Sequence, residues 1–366
     1  MNQLLSTSYS IFLKLLRSEL WQTPLELTLS HSEFLSVYEL ASKQAVLGMI
    51  ANSLIRNNVS LDRQDVMKVL AVQGRIIASN KAVNSELLLL CKLFVDNGIE
   101  SIVVKGQTIG RYYPNPLART PGDIDFYCNE ANLPKVISAM ANTWGIHTEG
   151  KPSEQHYELV HNSIILELHH CLMKFASSKS QKIWDDIFCS SSPTFVEVNG
   201  CLVPTLEPTL NVLYTFLHLY HHLVELGVGF RQFCDVACLL HHHRNVIDRA
   251  ALARHLHAMS FTRAFAAIGW ILVDKLGLSQ EEFPIDITSK DKSYEAYILK
   301  IVFAGGNFGH YAKKTRVRSG LGYYVETLLL KASHYRMLYK LSPKEITSSL
   351  LKGVPAQIYK AYRRHR

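Results

Sequence analysis

The stretch that decides the fold runs from Ser101 to Cys128: SIVVKGQTIGRYYPNPLARTPGDIDFYC. A short apolar run, Ile102 to Val104, ends in Lys105-Gly106. A polar loop follows, carrying Arg119 and Pro121-Gly122. Asp123-Ile124-Asp125 then opens a second apolar run. A strand sets residues i and i+2 on one face, so the two carboxylates point the same way, about 7 Å apart. Like charges held that close raise each other's pKa unless a cation lies between them. Oxygen-only ligands of this kind suit Mg²⁺, which takes one or two carboxylates and completes its shell with water and phosphate.

Working outward, 366 residues can bury one large core or two ordinary ones. Hydrophobic residues make up 48% and charged residues 19%, which excludes a disordered chain. The net charge of +8 favours a polyanionic partner: nucleotide, nucleic acid or an acidic membrane surface. The seven cysteines are scattered, with no CxxC pair. Without a recognisable signal peptide, reduced thiols and a cytoplasmic location are expected. No uninterrupted apolar run reaches the ~18 residues that mark a membrane span.

Upstream, residues 1–99 read as helices: a helical period over Glu33 to Leu54, then another from Gln64 to Asn97, either continuous or broken once, with Gly98 as its stop. Ile102–Val104 and Ile124–Cys128 read as strands, with a helix over Leu133 to Trp144. Tyr157–His161 and Ser163–His169 flank Asn162 as a tight hairpin. Phe195–Val198 and Cys201–Val203, joined by Asn199-Gly200, form a second. After Pro208 the pattern is helical: Leu210–Leu226, Phe230–His243, then 248–258, 261–276, 291–303, 320–340 and 343–363. The expected architecture is α+β, a small mixed sheet flanked by helices. The regions are 1–99, 100–205 and 206–366.

A third acid belongs with the Asp pair. In Ser163-Ile-Ile-Leu-Glu-Leu-His-His170, Ile164, Leu166 and Leu168 share one face; Ile165, Glu167 and His169 share the other. A charge in mid-strand is costly if buried alone. Either that face is solvated, or the strand pairs beside Asp123 and Asp125 and Glu167 completes a carboxylate cluster. The order of strand, glycine loop, Asp-x-Asp, hairpin and single acid favours the cluster.

These residues resemble the DNA polymerase beta-like nucleotidyltransferase superfamily. Its small sheet carries a glycine loop, an Asp-x-Asp pair and a later carboxylate. Within it, Val104-Lys105-Gly106, Arg119, Asp123-Ile124-Asp125, Leu166-Glu167-Leu168-His169 and Arg231-xxx-Asp235 resemble an uncharacterised bacterial nucleotidyltransferase family often linked to polysaccharide gene clusters. The resemblance spans roughly residues 30 to 340. It implies transfer of a nucleoside monophosphate from a nucleoside triphosphate to an acceptor, with pyrophosphate released. The acceptor stays open: a sugar or glycan intermediate, another small molecule, a protein or an RNA end. The chain departs from the pattern at the phosphate loop, where Lys105-Gly106 stands for the usual Gly-Ser. Lys105 could meet phosphate directly as a point charge.

The chemistry implied is in-line phosphoryl displacement with two Mg²⁺ ions, or Mn²⁺ in their place, about 3.5–4 Å apart. Asp123, Asp125 and Glu167 are the expected metal ligands and catalytic residues. Lys105, Gly106, Arg119, His169, Arg231 and Asp235 are the expected nucleotide-binding set. Each has a plainer alternative. Arg119 could be a structural partner of Asp123. Arg231 and Asp235, four apart, could form an intrahelical ion pair. His218 and His222 have the i, i+4 spacing of metal ligands but lack a third, so a packing or cleft role is preferred. Gly305-Gly306-Asn307-Phe308-Gly309-His310 reads as a turn. The basic clusters at Lys313 to Arg318 and Lys360 to Arg366 suit solvent, or an acidic acceptor, RNA or lipid headgroups. Two other readings stay open: a catalytically silent binding module, and an RNA-binding protein.

Overall fold

The computed structural model describes residues 3–146, 155–225, 227–307, 332 and 334–353. The fold is α+β, as expected. Four helices come first: α1 (Gln3–Trp21), α2 (His31–Lys43), α3 (Leu47–Arg56) and the long α4 (Arg63–Asp96). The single helix expected over Glu33 to Leu54 is two helices, broken where Ala45 adopts φ +55°. A tertiary contact explains the break. Gln44 accepts at its backbone oxygen from Arg231 N–H (3.3 Å) and at its side chain from Phe230 N–H (3.2 Å). A Cβ on Gly229 would lie 2.8 Å from that backbone oxygen, so only glycine lets the two chains meet.

The main sheet has strands β1 (Ile102–Val104), β2 (Ile124–Tyr127), β3 (His156–His161) and β4 (Ile164–His169) in the order β1-β2-β4-β3. β2 runs antiparallel to β1 and parallel to β4, and β3 is antiparallel to β4. A parallel pair needs a crossover; the helix α6 (Leu133–Trp144) lies in the chain between them. Ile124, Phe126, Leu166 and Leu168 are buried with Leu87, Leu90 and Phe94 of α4 and Val136 and Met140 of α6. Strand alternation therefore turns Asp125, Glu167 and His169 to the opposite face. The first hairpin turns on two residues, Asn162-Ser163 (φ +47° and +64°), and not on Asn162 alone. That is the backbone of a type I′ turn, which demands positive φ at both positions. Asn199-Gly200 makes the expected second turn between β5 (Thr194–Val198) and β6 (Cys201–Thr205). Thr205 Oγ1 ties this hairpin to Val103 O at 2.7 Å.

Helix α7 (Ser178–Ser190) lies between the two hairpins, and the C-terminal part is helical: α8 (Pro208–Glu225), α9 (Phe230–His243), α10 (Arg249–Met259), α11 (Thr262–Asp274), α12 (Glu295–Gly305) and a short helix, Pro343–Ser348. It shares one apolar core with the N-terminal helices, whereas the sheet packs in a second cluster. Phe12 meets Phe230 edge-on at 5.5 Å, and Arg17 Nε donates to Lys275 O at 2.7 Å. The cysteines are free thiols. Among the described residues no helix is long and apolar enough to cross a membrane. Much of the helix expected over 320–340, the end of the glycine-rich turn and both basic clusters lie outside the described residues.

Candidate functional site

The site lies where the polar face of the sheet meets α8 and α9. Register builds it: Asp125 of β2 sits opposite Val104 of β1 and opposite Glu167 of β4. Asp123 directly precedes β2. These acids border a cavity of about 240 Å³, which Lys105, Gly106, Arg119, His169, Arg231 and Asp235 also line. All nine residues singled out in the sequence thus meet at one cleft.

Lys105 ends β1 at φ +57°, ψ −146°, and Gly106 follows at φ +45°, opening the one-turn helix α5 (Gly106–Gly110). A non-glycine residue in this region costs about 1–3 kcal/mol. The strained turn brings Lys105 Nζ to 2.7 Å from Asp125 Oδ1 and 3.1 Å from His218 Nε2. His169 Nε2 lies 2.9 Å from the same Asp125 oxygen and 3.2 Å from Glu167 Oε2.

The electrostatics separate the two aspartates. Burial alone would push the Asp125 carboxyl up, but Lys105 and the hydrogen bond from His169 hold it well below the usual range. Asp123 makes no ion pair or hydrogen bond among the described residues. Burial and then the neighbouring Asp125 charge push it up to about 6. His169 is raised; burial opposes this, and its hydrogen bonds to Asp125 and Glu167 outweigh it. His218 is held well below its ordinary value, and His222 falls to about 3. Burial is the main cause in both, followed by the Lys105 charge for His218 and by His221 for His222. Both imidazoles are therefore neutral at pH 7, and His218 can accept from Lys105.

The plainer alternatives for the arginines are both replaced by another pairing. Arg119 bonds Asp235, through Nε at 2.7 Å and Nη2 at 2.9 Å, and not Asp123. Asp235 therefore does not pair with Arg231 along α9. Tyr113 donates its hydroxyl to Asp235 at 2.6 Å, and Asn80 of α4 donates to Arg119 O at 2.8 Å. Arg231 instead donates to Thr120 O at 3.2 Å, while its Nε is buried without a hydrogen bond among the described residues.

A family model described as "Uncharacterised nucleotidyltransferase" matches residues 30–277. The chain belongs to this family. A crystal structure of an antigenic nucleotidyltransferase-like protein from Paracoccidioides brasiliensis aligns with 54% of this chain and 92% of its own, at 13% identity and a TM-score of 0.32. No curated protein matches the chain.

Nucleotidyltransferases generally use divalent metals, and membership of the family suggests a nucleotide substrate. Asp123 makes no ion pair or hydrogen bond among the described residues, feels the Asp125 charge, and shares the cleft with Glu167, so an acid is left open to a cation there. The sequence reading missed His156, which lies opposite His169 across the hairpin. The signal was present. With Asn162-Ser163 as the turn, His161 pairs with Ile164, and counting back along both strands reaches this pair. Lys174 and His221 also line the cleft.

Proposed function

We propose that this protein transfers a nucleoside monophosphate from a nucleoside triphosphate to an acceptor hydroxyl, in a site dependent on a divalent cation, Mg²⁺ or Mn²⁺. The single observation that supports this most is Asp123, Asp125 and Glu167 on the same cleft as Lys105 and Arg231. Asp123, Asp125 and Glu167 would hold the metal, which when bound supplies neutralising charge to the phosphate oxygens.

The chain's own residues do the rest. Arg231, with an unsatisfied buried Nε, binds and orients the triphosphate. Lys105 and Arg231 stabilise the charge that grows on the leaving pyrophosphate. Glu167, partly exposed, takes the acceptor's proton as a P–O bond forms at the α-phosphorus and the bond to pyrophosphate breaks. His169 fixes the Asp125 carboxylate from one side and Lys105 fixes it from the other. Arg119 and Asp235 position the Arg231 segment through their mutual pair and touch no phosphate in this reading. The acceptor is a sugar or glycan intermediate, a small-molecule hydroxyl or a protein side chain.

Calorimetry with nucleoside triphosphates and Mg²⁺, alongside pyrophosphate release in cell extract with labelled triphosphates, tests the reading. Wild type should bind and transfer, and Asp123→Ala/Asp125→Ala should do neither. Equal behaviour of the two proteins rejects it. A second reading, a catalytically silent nucleotide-binding module, is favoured by the Lys105–Asp125 pair, since a resident ammonium already occupies one carboxylate. Nucleotide binding without pyrophosphate release across a broad acceptor panel would select it.

A further inference from the structure

We infer that Glu167 is shared with a second ion site, formed with His156 and His169, and that this site takes an imidazole-binding divalent ion of the Zn²⁺ class, not Mg²⁺. The inference deepens the transferase reading, since the ion would sit at the Glu167 end of the same cleft, but the donor set stands without it.

The sheet puts the three side chains together. His156 on β3 is the cross-strand partner of His169 on β4. Glu167 precedes His169 by two residues and so shares its face. One ligand atom from each of the three lies within 4.8 Å of the others. Glu167 Oε2 is 3.2 Å from His169 Nε2, and Glu167 Oε1 is 3.9 Å from His156 Nε2. Donors around a tetrahedral zinc stand roughly 3.3–3.4 Å apart, given metal–nitrogen bonds of about 2.0–2.1 Å. The two contacts use different oxygens of the one carboxylate, so a rotation of the Glu167 side chain would bring an oxygen to an ion between the imidazoles. All three residues line the cavity, so an ion and its water have a route in.

The chemistry of the donors chooses the ion. Two imidazoles and one carboxylate are a set that suits zinc with an open fourth position, whereas Mg²⁺ prefers oxygen throughout. His169 Nε2 also lies 2.9 Å from Asp125 Oδ1, and Lys105 Nζ stands 2.7 Å from the same oxygen, so Asp125 keeps an ion pair when His169 turns away. The ammonium thus keeps Asp125 neutralised while the imidazole turns to a metal.

The probe is Co²⁺, whose visible bands report nitrogen ligation. Untagged full-length protein is stripped with chelator and titrated with Co²⁺. The expected result is a set of d–d bands that saturates at one ion per chain, persists in excess Mg²⁺ and is displaced by Zn²⁺. His156→Ala, at the partly exposed first residue of β3, should weaken Co²⁺ binding at least tenfold while circular dichroism shows the fold intact. His169→Gln should do the same. Absence of visible bands, bands unchanged in His156→Ala, or displacement by equimolar Mg²⁺ would each overturn the site. Nucleotide transfer is scored separately by the Asp123→Ala/Asp125→Ala comparison, so failure of this site and failure of the transferase reading are distinguishable.

Discussion

Lys105 Nζ lies 2.7 Å from Asp125 Oδ1, with the lysine side chain 15% and the aspartate side chain 3% exposed. A buried pair of this kind adds little net stability over an apolar replacement, yet removing one partner leaves a charge stranded. Lys105→Met is therefore expected to destabilise the protein by about 3 kcal/mol, and Asp125→Asn by a comparable amount, because it leaves the Lys105 ammonium without its carboxylate. The double variant should lose less than the sum of the two. Urea denaturation of the four proteins as a double-mutant cycle measures the coupling, and additive losses would show that the pair is not energetically linked.

Asp235 accepts from both Arg119 and Tyr113 in a buried cluster. Tyr113→Phe removes one hydrogen bond to a charged acceptor and should cost about 1.5–3 kcal/mol of stability. Arg119→Lys keeps the charge but loses the two-pronged geometry and should also destabilise. If these residues only position α9, nucleotide affinity at a temperature where both variants are folded should stay within about threefold of wild type. A collapse of affinity with stability unchanged would instead assign Arg119 to the phosphate.

Asp123 sits near pKa 6 because it is buried and faces Asp125. A cation must displace its proton, so Mn²⁺ affinity should rise between pH 5 and pH 7 with a midpoint near 6. Stability moves the other way. The folded state holds this proton more tightly than the unfolded chain, so the Asp123 contribution is present below about pH 4 and is lost as pH rises through 6. Asp123→Asn should remove both trends, binding Mn²⁺ weakly at every pH and, relative to wild type, gaining stability from pH 4 to 6. Calorimetry and denaturation midpoints across that range check the two slopes together.

How legible was this site? The acids were readable because strand periodicity is local: alternation in Ile164 to His169 placed Glu167 and His169 on one face before any pairing was known. The bordering helix Phe230–His243 and the helix Leu133–Trp144 were also readable, being periodic and cleanly bounded. What escaped depends on distance in the chain. The break at Ala45 exists because Gln44 caps the start of α9, nearly two hundred residues on. The Arg119–Asp235 pair likewise spans 116 positions, and no local spacing announces it. His156 was missed through a register error of one residue at Asn162-Ser163, enough to hide a cross-strand partner.

Arg231 offers the most direct separation of stability from function. It is held below its ordinary pKa by burial and by the neighbouring Arg119 charge, so the folded protein keeps a guanidinium in an unfavourable place. Such a cost is tolerated where an anion later relieves it. Arg231→Met should therefore leave the nucleotide-free protein as stable as wild type, or more so, while weakening triphosphate affinity by about 10- to 100-fold, or roughly 1.4–2.7 kcal/mol. Excess triphosphate should then raise the melting temperature of wild type and scarcely move that of the variant. A thermal-shift series with and without nucleotide reads both quantities. A variant that is less stable but binds as well as wild type would show that Arg231 serves packing alone.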